Sequence, residues 1–287
     1  MISTFRTRLV LMLLVFINYS CATIVGNENE TKALLWQIDH PVHPTSYLLG
    51  TIHVGVGLKE LPPVVEKKFV ASDQFISELA LSELSPEKSM SLILGKPGQT
   101  VSNLLTTAQL NSLENQLRGM VPESLVEQLS IQGAQSLLML KHFPGGESLD
   151  RNLMEKAQAL GKKSYGLETL EEQVKSLKLL LTKDALVYLI DNPSELKNSL
   201  EELVAVYKAG NLDELSQAIL NPPVKEMALS ESNLEKVIFE RNEAWARVLP
   251  SILKKGPTFI AVGAGHLAET RGLLNLLRAQ GYTLKRL

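Results

Sequence analysis

Two short apolar runs open the patterned part of the chain, Leu34-Leu35-Trp36-Gln37-Ile38 and Tyr47-Leu48-Leu49-Gly50-Thr51-Ile52-His53, with His40-Pro41-Val42-His43-Pro44-Thr45 between them. Proline has no N–H to give to a strand ladder, so the spacer predicts a hairpin turn. Pro62 and Pro63 then begin an amphipathic stretch that reaches about Ala71, and Gln74-Phe75-Ile76-Ser77-Glu78-Leu79 reads as a further strand. Strand, helix and strand in that order predict a parallel crossover.

The middle of the chain carries apolar residues at three-and-four spacing over Leu104–Gly119, Pro122–His142, Ser148–Leu160, Leu170–Leu181 and Ser194–Ala209, each expected to be a helix. Gly210 suits a left-handed helix end, and Leu212 begins a new start. Lys163-Ser164-Tyr165-Gly166-Leu167-Glu168 interrupts the helices as a strand. The last part predicts a long helix over Leu234–Lys254, a buried strand Thr258–Val262, a helix Gly272–Gln280 and a final strand Thr283–Leu287. The expected fold is therefore α/β: a mixed central sheet built from both ends of the chain, with a large helical insert at about residues 100–254. No repeat or charged linker divides it.

Residues 1–22 follow a different rule. Arg6 and Arg8 precede a nine-residue apolar run, Leu9–Ile17, and then small and polar residues, the layout of a secretory signal. The run is about half of the roughly 20 residues that span a bilayer. Ser20 and Ala22 suit cleavage after Ala22, with a lipid-modified Cys21 as the alternative. A domain of residues 23–287, exported to the periplasm with no permanent membrane span, is the expectation. The formal charge of −2 offers no general attraction to a phosphate backbone, so nucleic acid is not an expected partner. The single Cys lies in the leader, which removes internal disulfides, CxxC zinc sites and a cysteine nucleophile. Any metal must then use His and carboxylates.

Two of the five His close apolar runs with Gly three positions earlier: Gly50-Thr51-Ile52-His53 and Gly263-Ala264-Gly265-His266. Ligand crevices in open α/β sheets form at the carboxyl ends of strands, so both rings are candidates to meet there; the alternative is that each ring bonds a nearby carbonyl. Glu78 and Glu168 end short apolar runs in the same way, fitting either a mixed nitrogen and oxygen metal site or a base for metal-bound water. Glu78 also reads as an ordinary solvated carboxylate, and Glu168 as part of a helix cap. Arg241-Asn242 lies on the long helix with Trp245 four residues on, suited to holding a carboxylate or an oxyanion, or simply to a surface pair. His40 and His43 read as a surface pair, and His142 as a helix-terminal residue. The GxGxxA match at Gly263 lacks its acidic partner, and HExxH and GxSxG are absent.

The pairing of Leu48-Leu49-Gly50-Thr51-Ile52-His53-Val54-Gly55 with Ala261-Val262-Gly263-Ala264-Gly265-His266-Leu267 resembles the TraB/GumN family, which includes the Tiki proteases. In order between them come Glu78, Leu149-Asp150 through Leu153, Gly166-Leu167-Glu168-Thr169 with Gln173, Tyr207 to Asn211, and Arg241-Asn242 with Trp245. The resemblance covers about residues 33–287. It implies a divalent-metal site of His53 and His266 with Glu78 and Glu168, holding Mn, Co or Zn, with Arg241 and Asn242 matching an Arg-Asn element, and for the Tiki members a metal-dependent peptidase activity. Arg241 is expected to stabilise an oxyanion and a carboxylate to take a proton. A non-catalytic, extracytoplasmic binder of a peptide or glycan is the alternative. This chain departs from the family at Ala268-Glu269-Thr270-Arg271, where members often carry Gly soon after His-Leu; a bulkier, charged turn is expected to narrow the cleft.

Overall fold

A computed structural model describes residues 32–83, 86–145, 147–220 and 230–287. The expected leader, residues 1–22 with Cys21, lies outside the described residues. A six-stranded sheet organises the chain: β1 (Leu35–His40), β2 (His43–Thr51), β3 (Gln74–Leu79), β4 (Lys163–Glu168), β5 (Thr258–Gly263) and β6 (Thr283–Arg286). They lie in the order β4-β3-β5-β2-β1-β6. β4, β3, β5 and β2 are mutually parallel, whereas β1 runs antiparallel to both β2 and β6. This is the mixed α/β sheet expected from both ends of the chain.

The hairpin turn is tighter than the two prolines suggest. His40 pairs with His43, and a register shift between Ile38 and His40 places Pro44 inside β2 at an irregular position where the ladder needs no N–H from it. Helix α1 (Pro63–Ala71) starts with proline at its first turn and buries Val65 and Phe69. Phe75 and Phe259 are in register on adjacent strands, and the Phe69 ring meets both edge-on at 5.5 and 5.2 Å. Every residue of β3 is buried, as expected for a strand covered on both faces.

Local capping divides the helical insert more finely than periodicity predicts. The helix expected over Leu104–Gly119 is α4 (Thr107–Leu117), which starts later because Thr106 and Gln109 form a reciprocal capping box, and Leu104 is instead the last residue of a short α3 (Val101–Leu104). Pro122–His142 is broken into α5 (Glu123–Val126) and α6 (Ile131–His142), where the Ser130 side chain accepts from Gly133 N–H. Further along come α7 (Leu149–Ala159), α8 (Leu170–Leu180), α10 (Pro193–Ala209) and α11 (Leu212–Leu220). Two helices go beyond the expected set, α2 (Pro86–Ile93) and α9 (Lys183–Asp191). The long helix before β5 is composite: α12 (Glu231–Leu234), a π-helical segment Glu235–Phe239, and α13 (Glu240–Leu253). Helix α14 (Leu273–Ala279) precedes β6.

One buried cluster surrounds the sheet, and a second, from Ile93 to Leu200, lies among the helices of the insert; Phe143 packs against both. Among the described residues no helix is long and apolar enough to cross a membrane. Phe259 is fully buried at the centre of the aromatic triad. Phe259→Ala is expected to remove about 3–5 kcal/mol of stability; a urea midpoint equal to that of the unsubstituted protein would refute this account of the core.

Candidate functional site

Because β4, β3, β5 and β2 are parallel, their carboxyl ends lie along one edge of the sheet. Glu168, Glu78, Gly263 and Thr51 therefore stand side by side, with His53 two residues beyond β2 and His266 at the end of a one-turn helix after β5. The glycines of the two GxxH segments have separate spatial reasons. A side chain at Gly50 would meet Leu267 Cδ1 at 2.6 Å, so the backbone of β2 approaches the turn after β5 only without one. A methyl at Gly263 would lie 3.1 Å from Glu78 Oε1 and 3.7 Å from both His53 Nε2 and His266 Cδ2. These atoms are thus brought around one small space, and the two rings approach to within twice that last distance.

Each ring is fixed from behind. His53 Nδ1 lies 3.0 Å from Asp150 Oδ2. His266 Nδ1 lies 2.7 Å from Asn242 Oδ1, and since Asn242 Nδ2 donates to the Arg271 carbonyl, His266 Nδ1 must carry the proton. Its Nε2 lone pair is left facing Arg241 Nη1, 3.2 Å away, with Glu78 Oε1 at 4.0 Å. Trp245 packs against His266 with ring centroids 4.5 Å apart and carries the Arg241 guanidinium 4.7 Å above its ring.

Arg241 joins the two acids. Nε and Nη2 donate to Glu168 at 2.9 and 2.7 Å, Nη2 donates to Glu78 at 2.8 Å, and Nη1 donates to the Val237 carbonyl at 3.0 Å as well as reaching His266. All five N–H groups are committed. The expected oxyanion role therefore has no spare donor in this arrangement; the Arg241 Nη1–H that points at His266 Nε2 is the one not held by an oxygen. Glu78 also accepts from Gly263 N–H at 2.7 Å and from Gln173 Nε2 at 3.3 Å. The solvated-carboxylate alternative for Glu78 and the surface alternative for Arg241 do not describe these positions, since Glu78 is buried and the Arg241 side chain is mostly enclosed by its partners.

The surroundings push the ionisable groups apart. Burial disfavours charge on Glu78, but Arg241, the two imidazoles and the Gly263 amide outweigh it and hold the carboxyl at about 2. Burial instead raises Glu168 above the usual carboxylate range, against the hydrogen bonds and charge of Arg241. Burial depresses His266 to about 3, Arg241 and His53 adding to the effect and Glu78 opposing it, so the ring is neutral. On His53 burial is outweighed by Asp150 and Glu78, which raise it to about 9. Water reaches 69% of the His53 side chain and screens its pair with Asp150, so that pair holds a charge more than it stabilises the fold.

Among the described residues no three His, Cys, Asp or Glu side chains stand close enough to enclose a metal ion as they are placed. The donor types are nonetheless ones that a cation could use: two imidazoles whose Nδ1 atoms are engaged by outer partners stand around the Gly263 space with a buried carboxylate, His53 through Nε2 and His266 through its Cδ2 edge. Glu168 is occupied by Arg241 at both oxygens. The turn after His266 sends its charges elsewhere: Glu269 accepts from Ser216 and Arg271 bonds Glu235 and Glu243. The backbone of Glu269 holds a φ of 68°, a conformation that glycine adopts without strain. Asp150 belongs to the Leu149-Asp150 segment of the family resemblance but has no role assigned by sequence, because an acid in the first turn of a helix is ordinary. His40 and His43 stack at the opposite end of β2, near Tyr282.

The TraB/PrgY/gumN family model matches residues 34–286. Among curated proteins, the chain is 24% identical to metalloprotease TIKI2 of Danio rerio, over 90% of this chain and 62% of that protein. It is 23% identical to metalloprotease TIKI2 of Xenopus tropicalis, over 90% and 60%, and 23% identical to a metalloprotease TIKI homolog of Amphimedon queenslandica, over 94% and 64%. The chain thus spans about three fifths of the length of the curated relatives it matches. No solved structure shows a significant match.

The titrations carry a sign. Folding lowers the pKa of His266 from 6.5 to about 3 and of Glu78 from 4.5 to about 2, so the unfolded chain binds more protons across the acid range and stability falls on acidification. Between pH 6.5 and 4.5 the His266 contribution precedes that of Glu78; the raised His53 opposes neither, since its stabilisation is complete below 6.5 and fades as pH rises through 9, whereas the raised Glu168 takes up its proton first in the folded chain and offsets part of the loss. Denaturant titrations from pH 6.5 to 4.5 are expected to show a loss of up to about 1.4 kcal/mol per pH unit, with a shallower slope in His266→Gln. Equal slopes in the two proteins would contradict the buried neutral ring.

Proposed function

The chain belongs to the TraB/PrgY/gumN family, and we propose that it is an exported metal-dependent hydrolase acting on peptide bonds, with its site at the carboxyl ends of β2, β3 and β5. The observation that carries the reading is the pair of imidazoles braced at Nδ1 around the Gly263 space beside an anionic Glu78. Relatives named metalloproteases support the reaction class. His53, His266 and Glu78 would hold the ion, which stands among Mn²⁺, Co²⁺ and Zn²⁺. Charge supports a cation: Glu78 and Glu168 share the single guanidinium of Arg241, and Asp150 and Glu78 together raise His53, so the space beside these groups attracts positive charge. When bound, such an ion polarises a carbonyl and makes water acidic enough to serve as nucleophile near neutral pH.

The protein's own groups divide the remaining work. Glu78, held well below the usual range, stays anionic and suits ligation. Glu168, raised by burial, is the carboxyl suited to hold a proton during turnover. Arg241 fixes both acids, and its N–H toward His266 is the donor it can turn to a substrate oxygen. Trp245 and Asn242 keep His266 in place from two sides. The apolar leader over Leu9–Ile17 supports export to the periplasm. A second reading, a non-catalytic module that captures a peptide or glycan, is favoured by one observation: every donor of Arg241 is already satisfied within the protein.

Elemental analysis of the purified protein, then turnover of a peptide library with and without chelator, separates the two. Bound metal and chelator-sensitive cleavage are expected, with both lost in His266→Ala. Glu168→Gln should retain the metal and lower turnover about 10²–10⁴-fold. Stoichiometric peptide or glycan binding that survives chelation, without cleavage, would overturn the hydrolase.

A further inference from the structure

We propose that Asp150, tied down by Thr51, is the positioning residue that sets the tautomer of His53 and aims its Nε2 into the Gly263 space. The inference rests on the metal-site reading above and adds to it a residue that family resemblance and periodicity leave unassigned. Asp150 sits in the first turn of α7, whose N-cap Ser148 accepts from Arg151 N–H. An acid placed there only for the helix would face the free N–H groups of its own first turn. Asp150 instead directs both oxygens to the end of β2: Oδ1 accepts from Thr51 Oγ1 at 2.7 Å and Oδ2 meets His53 Nδ1 at 3.0 Å. Thr51 is buried within the strand, so it fixes the carboxylate to the sheet.

This consequence is chemical. A carboxylate can only accept, so a neutral His53 facing it must keep its proton on Nδ1 and present an unprotonated Nε2. Nε2 lies 3.7 Å from the point where a Gly263 methyl would sit. The ring is largely solvent-exposed, and buried packing does not hold it; the hydrogen bond to Asp150 does that work. His266 has the equivalent support from Asn242 and needs no charge, because it is enclosed by protein and packed against Trp245. An outer carboxylate of this type changes metal affinity about 10–100-fold.

The test uses the full mature chain with Asp150→Ala, Asp150→Asn and Thr51→Val, each checked by thermal melting, and Zn²⁺ as the probe. ¹⁵N shifts of His53, read with the ring neutral above pH 9.5, should show Nδ1–H in the unsubstituted protein and Nε2–H in Asp150→Ala, with Asp150→Asn restoring Nδ1–H because an amide oxygen still accepts. Zn²⁺ affinity by calorimetry should fall about 10–100-fold in Asp150→Ala, less in Thr51→Val, and recover in Asp150→Asn. If Asp150→Ala does not fold, an unchanged Zn²⁺ affinity and unchanged ¹⁵N shifts in Thr51→Val overturn the proposal. An unmoved tautomer in Asp150→Ala overturns it while leaving the metal reading intact. If the unsubstituted protein takes up no Zn²⁺, Mn²⁺ or Co²⁺ and the tautomer still switches, the positioning role stands and the metal reading fails.

Discussion

The contact on which the rest depends is the single guanidinium of Arg241 between Glu78 and Glu168. Two carboxylates drawn out of water at the ends of adjacent strands repel each other, and each alone would protonate or unfold the edge of the sheet. Arg241 meets both with a planar fork, two bonds to Glu168 and one to Glu78. Removing one member of such a buried set typically costs about 3–5 kcal/mol, because the others are left uncompensated. The ion group therefore ties the long helix to β3 and β4 and fixes the floor of the site in one step.

The helix that carries Arg241 is shaped for this task. Its π-helical segment, Glu235–Phe239, lies immediately before Arg241. Single-turn π segments widen the hydrogen-bond register and free carbonyls, and the Val237 carbonyl accepts from Arg241 Nη1. One turn later Trp245 lies beneath the same guanidinium, while Asn242, fully buried, reaches His266. Two consecutive residues thus serve opposite partners, acids for one and an imidazole for the other. Arg271, on the turn after His266, presses over Phe239 and bonds Glu235, so the π segment is held from outside as well.

Much of the sheet was legible because burial leaves a direct trace in sequence. The apolar runs around Leu48, Ile76 and Ile260 became the central parallel strands, and the convergence of His53, Glu78, Glu168 and His266 follows from parallel strands ending together. Helix boundaries were less legible, since Thr106 and Ser130 stop and restart the chain by single side-chain bonds that periodicity does not register. The commitment of every Arg241 N–H was also beyond sequence. Spacing placed Trp245 on its face, but Glu78 and Glu168 lie 163 and 73 residues away along the chain. Asp150 was hidden for a similar reason: its signal is that of any helix-start acid, and its partner lies 97 residues earlier.

The two imidazoles differ in a way that gives the site a direction. His266 is 5% exposed and lies behind Trp245, Asn242 and Arg241, whereas most of the His53 side chain meets solvent. Anything entering from water therefore encounters His53 first and Glu78 and His266 beyond it. The support behind each ring matches that order. The inner ring is held neutral by burial beside an uncharged amide, whereas the outer ring is held in place, and its protonated form favoured, by a carboxylate whose field persists where packing is thin. A site built this way keeps its acidic floor fixed through Arg241 and leaves its exposed imidazole at the entrance, held by Asp150 and Thr51.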